Sequence, residues 1–117
     1  MPYVDGFVLP IPEGNVDAYK KMARKAAKIW REHGALEYRE CVGDDLAVKG
    51  ELPFTKGIRT KPGETVIFAW VVYKSKADRN RIMKKIFTDP RMQPDGSEMP
   101  FDMKRMMYGG FKIIVDA

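Results

Sequence analysis

Sulfur and imidazole ligands are nearly missing from this chain. Cys41 is the single cysteine among 117 residues, so no internal disulfide can form. A thiol without a partner suits a reducing compartment. His33 is the single histidine, and one His with one Cys makes no zinc or copper set by spacing. Long apolar runs are absent too. None approaches the ~20 residues that a membrane-spanning helix needs. The amino-terminal stretch lacks the charged and apolar regions of a secretory signal. No glycine-rich phosphate loop of Walker or dinucleotide type occurs, and no Ser/His/Asp or Cys/His arrangement. The expectation is a cytoplasmic protein with no metal, no cofactor and no membrane segment.

The residues present are those of a single domain spanning 1–117. The apolar fraction is 44% and the charged fraction 32%, which suits one soluble globular core. The net charge is +5 and the isoelectric point about 9.4. That permits anionic ligands but is modest for a dedicated nucleic-acid protein.

The stretch Glu64-Thr-Val-Ile-Phe-Ala-Trp-Val-Val-Tyr-Lys74 dominates the chain. It is rich in β-branched and aromatic residues, with nothing polar between Thr65 and Tyr73, and so reads as a strand. A strand buried on one face alternates; this one does not, so both faces should be covered. Val66, Phe68, Trp70 and Val72 share one face, and Ile67, Ala69, Val71 and Tyr73 the other.

Tyr3 to Leu9 reads as a first strand, followed by a Pro/Gly loop over 10–15 with Asn15 as a candidate N-cap. Val16, Tyr19, Met22, Ala23, Ala26, Ile29, Trp30 and His33 recur at helical spacing, which predicts a helix to about His33, ended by Gly34. Ala35 to Val42 alternates as a charged edge strand. Residues 43–63 are long for a loop, and Leu52, Phe54 and Ile58 should fold it back onto the body. Ser75-Lys-Ala-Asp78 resembles a capping box opening a second helix to about Thr88, with Ala77, Ile82, Met83, Ile86 and Phe87 as its buried stripe. Pro90 stops it. The last strand is expected over Arg105–Val115.

The order β-α-β-β-α-β, with right-handed crossovers, predicts an α+β ferredoxin-like fold. Its four-stranded antiparallel sheet runs 4-1-3-2 with both helices on one face. The other face is left open. A second copy packed sheet on sheet would close it, giving a homodimeric α/β barrel. An open face that binds RNA is the alternative, but the central strand lacks the leading basic residue and glycines of an RNA-recognition motif. Nucleic acid is therefore not the expected partner.

Four segments carry a family resemblance: Tyr3-Val-Asp-Gly-Phe-Val8, Trp30-Arg-Glu-His-Gly-Ala-Leu-Glu-Tyr-Arg-Glu-Cys-Val42, Phe68-Ala-Trp-Val-Val-Tyr-Lys-Ser75 and Met99-Pro-Phe-Asp-Met-Lys-Arg-Met-Met-Tyr-Gly-Gly-Phe111. They resemble the YbaA-like family of small bacterial proteins, a domain of unknown function, over nearly the whole chain. The resemblance implies the dimeric α/β-barrel superfamily, in agreement with the strand argument. It implies no activity and transfers no catalytic residue, so whether the chain is an enzyme stays open. The wider superfamily holds cofactor-free monooxygenases, haem-degrading enzymes and isomerases, a likeness of fold alone.

Asp5 is the best catalytic candidate. It shares a strand face with Tyr3, Phe7 and Leu9, opposite Val4, Gly6 and Val8. The small side is expected against the helices, so Asp5 should point between the two sheets of the dimer. A carboxylate there is paired, hydrated or protonated; Tyr108 or Lys112 could reach it. It acts either as a structural ion pair or as a base and ligand anchor. Tyr38, Trp70, Arg105 and Tyr108 complete the candidate ligand set. His33 at a helix end complements the dipole. The methionines from Met83 to Met107 read as adaptable packing. The expected function is a homodimer binding a small aromatic or anionic metabolite in or at the mouth of the barrel, with the 43–63 loop as a lid and cofactor-free chemistry open to it. The alternatives are RNA binding through basic helices or the sheet, and a structural protein without ligand.

Overall fold

A computed structural model describes residues 1–117. Strands β1 (Tyr3–Pro12), β2 (Glu37–Val42), β3 (Glu64–Tyr73) and β4 (Met107–Lys112) form one antiparallel sheet in the order β2-β3-β1-β4. This is the expected topology, read from the opposite edge. Helices α1 (Val16–Glu32) and α3 (Lys76–Thr88) lie on one face; α2 (Phe54–Gly57) is a single turn within the long loop. The molecule is a slab, 40 × 38 × 20 Å, as two layers require.

Helix α1 forms where its periodicity places it. Tyr19, Ala23 and Ile29 are buried, and Tyr19 and Ala23 pack on Leu9, Ile11, Ile67 and Ala69. Asn15 occupies the N-cap position, but its side chain makes no cap bond; its Nδ2 donates to the Pro100 carbonyl at 2.8 Å. In α3 the Ser75 hydroxyl accepts from the Asp78 amide at 3.0 Å, a true N-cap. Ile82 and Ile86 are buried beside Ile29, Val71 and Tyr73. Phe87, expected in that stripe, is 71% exposed. Arg79, one helical turn before Ile82, stands on the inward face instead.

Two strands differ from expectation at their ends. β1 continues through Pro10 and Pro12, which pair with Val66 and Glu64. β1 has lost β4 as a neighbour beyond Val8, so a proline there sits as on an edge. β4 is shorter than expected. Met103–Arg105 forms a 3-10 turn before it, and Ile114 and Val115 lie exposed beyond it.

The other sheet face carries Val4, Gly6 and Val8 of β1, Phe68, Trp70 and Val72 of β3, and Met107, Gly109 and Phe111 of β4. No helix covers it. The 43–63 segment folds onto one end of it, as expected: Phe54 stands edge-on to Phe68 with ring centroids 6.1 Å apart, and Ile58 is buried, whereas Leu52, expected with them, is largely exposed.

Candidate functional site

Asp5 lies mid-strand between Val71 of β3 and Gly110 of β4. Its side chain points to the helices, not between sheets as expected. Side-chain volume decides this. Phe7, Leu9 and Ile11 share the face of Asp5, and the core under α1 needs their bulk. Gly6 belongs to the open face because the ring of Phe111 lies across it: a Cβ on Gly6 would sit 3.3 Å from that ring.

The carboxylate of Asp5 is 0% exposed. Arg79 of α3 approaches to 3.6 Å, Nη1 to Oδ1. The hydroxyls of Tyr73 and Tyr108 lie close enough to ease its ionisation, yet neither is aimed at it with hydrogen-bond geometry, and both oxygens lack a directed partner. Burial therefore dominates and raises the carboxyl above its usual range, against the pull of Tyr73, Arg79 and Tyr108. Leaving a charged acceptor unsatisfied costs more than the about 1–3 kcal/mol of a neutral group.

The surrounding phenols are themselves fixed. Trp30 Nε1 donates to the Tyr73 hydroxyl at 3.1 Å. Arg79 donates through Nη1 to Tyr108 at 2.9 Å and through Nη2 to Tyr3 at 3.2 Å, and lies over the Tyr3 ring at 5.0 Å. Its Nε is buried with no partner. Burial and the charge of Asp5 push the Tyr73 and Tyr108 hydroxyls above the ordinary tyrosine range.

The remaining candidates fall elsewhere. Tyr38 and Tyr19 both donate to Glu40 at 2.7 Å, a clasp between β2 and α1 in which the carboxylate is satisfied. Burial raises the Glu40 carboxyl even so, although both phenols lower it. Trp70 is on the open face, its Nε1 donating to Glu37 at 3.0 Å. Arg105 grips Glu64 at 2.7 and 2.8 Å and also donates to the Arg59 carbonyl, pinning loops. His33 takes the C-cap position of α1 and meets Asp89 at 2.8 Å; Arg91 binds the same carboxylate and Glu32. Only Asp5 and Tyr108 of the expected set come together. The sequence reading missed Arg79. Its signal was a basic residue three before Ile82 and seven before Ile86, in phase with the buried stripe.

Two shallow apolar hollows flank Phe54 over the open sheet face. One, of about 280 Å³, is lined by Cys41, Val42, Leu46, Val66 and Phe68. The other, of about 240 Å³, is lined by Val8, Leu52, Pro53, Ile58 and Met107. No helix is long and apolar enough to cross a membrane.

Solved structures share this architecture. One is a dimeric ferredoxin-like protein of unknown function from Jannaschia sp. CCS1, with TM-score 0.55 and 14% identity, covering 95% of this chain and 99% of that one. Another is a dimeric ferredoxin-like protein from an uncultured marine organism, with TM-score 0.57 and 11% identity, covering both chains fully at 100%. Closer in sequence are the uncharacterized proteins YbaA of Escherichia coli K12 and of Shigella flexneri, each 44% identical over 116 residues, 99% of either chain. The family described as "Protein of unknown function (DUF1428)" matches residues 2–103, and with YbaA matched from end to end the chain belongs to that family.

Proposed function

We propose that the protein is a cytoplasmic homodimer, joined sheet to sheet, that binds a small apolar or aromatic molecule where the 43–63 segment meets the open sheet face. One observation carries the reading: a continuous apolar sheet face that the chain's own helices leave bare. Phe68 is 43% and Phe111 58% exposed, with Val4, Val8, Trp70 and Met107 between them. Such a patch on a small soluble chain marks an interface or a ligand surface. The dimeric state of the two ferredoxin-like relatives supports the same reading.

The hollows beside Phe54 stand at one end of that face, so a second sheet would convert them from open grooves into the mouth of a barrel. Their lining suits an apolar or aromatic ligand, with Phe54 and Phe68 as the aromatic wall. Cys41, a thiol without a partner, matches a reducing cytoplasm.

Light scattering at micromolar concentration tests the assembly. A mass about twice the 13.4 kDa chain is expected, and Phe68→Glu should halve it; a wild-type monomer ends the reading. Thermal-shift screening with small aromatic compounds tests the ligand. Hits should weaken in Phe54→Ala; hits indifferent to that change place the ligand elsewhere.

A further inference from the structure

The two long helices and the rest of the chain carry opposite net charge. α1 has six basic and two acidic residues, and α3 has five and one. Each helix is therefore net +4, against +5 for the whole chain, which leaves −3 on everything else. Arg79 turns inward to Asp5. The other ten helix cations are exposed. Both helices lie on one face of the sheet, so the ten share the outer layer.

A basic surface kept for solubility mixes the two signs and pairs them along the helix. This one does not. Lys20, Arg24 and Lys28 stand four apart on α1, as do Lys21 and Lys25. Like charges at that spacing destabilise a helix. None of these five makes an ion pair; of the ten, Arg81 alone does, with Asp78. The acids of α1 stand at its two ends, Asp17 and Glu32, and Glu32 is bound by Arg91. Asp95, from the loop after α3, is near enough to Lys25 to feel its charge. Phe87 is a second anomaly on this layer. At 71% exposure it is the one large apolar side chain of α1 and α3 left in solvent. It follows Lys84 by three residues, which makes the two neighbours on the helix surface.

We propose that the helix layer binds single-stranded nucleic acid, its cations following the phosphates and Phe87 stacking on an unpaired base. Cations recur at each turn of α1, about 5.4 Å apart. A strand laid along the helix meets one charge after another and releases its counterions. An exposed ring beside such a row gives an unpaired base a stacking platform. The missing RNA-recognition signature concerns the sheet face, which is the opposite surface. The proposal does not rest on the dimer, and in a sheet-to-sheet dimer both helix layers face outward.

Fluorescence anisotropy of a labelled single-stranded RNA of mixed sequence, titrated with the full chain, tests it. Saturable binding is expected at about 50 mM salt. It should weaken along a log–log line, with a slope of about −0.7 per phosphate contacted, as salt rises to about 200 mM. Lys21→Glu/Lys25→Glu/Lys28→Glu should weaken it at least about tenfold. The melting temperature of that variant should not fall, since it relieves like-charge pairs. Lys49→Glu/Lys56→Glu/Lys61→Glu makes the same change of net charge on the 43–63 segment and should stay within about threefold. Phe87→Ala should cost about fivefold or more through lost stacking, with the salt slope unchanged because no charge is removed. No saturable binding at low salt overturns the proposal. So does equal weakening by the two triple variants, which is bulk attraction alone. A matched duplex bound as tightly, or an unaltered Phe87→Ala, overturns the single-strand assignment. Binding to phosphatidylserine vesicles without affinity for RNA assigns the layer to a membrane surface and overturns it too. Light scattering on the same samples keeps a lost dimer from being read as a lost binding surface.

Discussion

Gly110 stands directly across the ladder from Asp5, and the ring of Tyr3 occupies the space its side chain would need. A Cβ there would lie 2.8 Å from the ring edge of Tyr3. Tyr3 in turn carries the guanidinium of Arg79. The missing side chain therefore leaves room for the Tyr3 ring, which helps seat Arg79 beside the carboxylate. Gly110→Ala is expected to displace Tyr3 and destabilise the fold by about 1–3 kcal/mol, the usual cost of forced overpacking. Urea denaturation measures it; an unchanged midpoint would show that the ring is free to move aside.

The registration of α3 makes a second contrast. Ile82 is wholly buried, whereas Phe87 on the same helix lies in solvent. Ile82→Ala should cost about 2–5 kcal/mol. Phe87→Ala, the larger truncation, should stay within about 0.5 kcal/mol. Equal losses would mean that Phe87 is covered in solution.

Two aspartates should respond to pH with opposite signs. Asp5 on β1 is faced by Tyr3 on its own strand, Tyr73 of β3, Tyr108 of β4 and Arg79 of α3, and burial raises its carboxyl. Its stability contribution is complete below the unfolded value near 3.9 and is lost as pH rises through the higher folded value. Asp5→Asn cannot ionise, so it should gain on wild type across that window and keep the gain at neutral pH. Asp89 is held far below the usual range by its bonds to Arg91 first and His33 second. Its contribution is present above about 3.9 and lost as pH falls through the lower folded value. Asp89→Asn should therefore trail wild type at neutral pH and draw level in acid. Melting temperatures of the three proteins across the acid-to-neutral range decide both signs.

A sheet-to-sheet homodimer couples folding to association, so the unfolding midpoint should rise with protein concentration. Phe68→Glu should abolish that dependence along with the dimer. A midpoint independent of concentration in the wild type contradicts the assembly.

Much of the architecture was legible in the residues. The unbroken run at 64–74 marked an inner strand, because β-branched and aromatic residues without a breaker read as strand, and β3 does lie between β2 and β1. The three-four spacing of Tyr19, Ala23 and Ile29 marked α1, and Ser75 marked the start of α3. These signals are local, set by backbone period and capping chemistry. The family membership was legible for the same reason: its segments follow one another in order along the chain.

The site was less legible. Sequence alone singled out Asp5 and Tyr108 and put them on the same strand faces as their neighbours, because alternation fixes which residues share a face. It did not fix which face meets the helices. That choice turned on how Phe7, Leu9 and Ile11 fill the space beneath α1, and on Phe111 lying over Gly6. Arg79 reached Asp5 only because the right-handed crossover laid α3 over β1 and β3, joining residues far apart in sequence. Periodicity along one chain determines the elements and their faces; packing between elements decides which buried charge meets which, because volume and distance exist only in three dimensions.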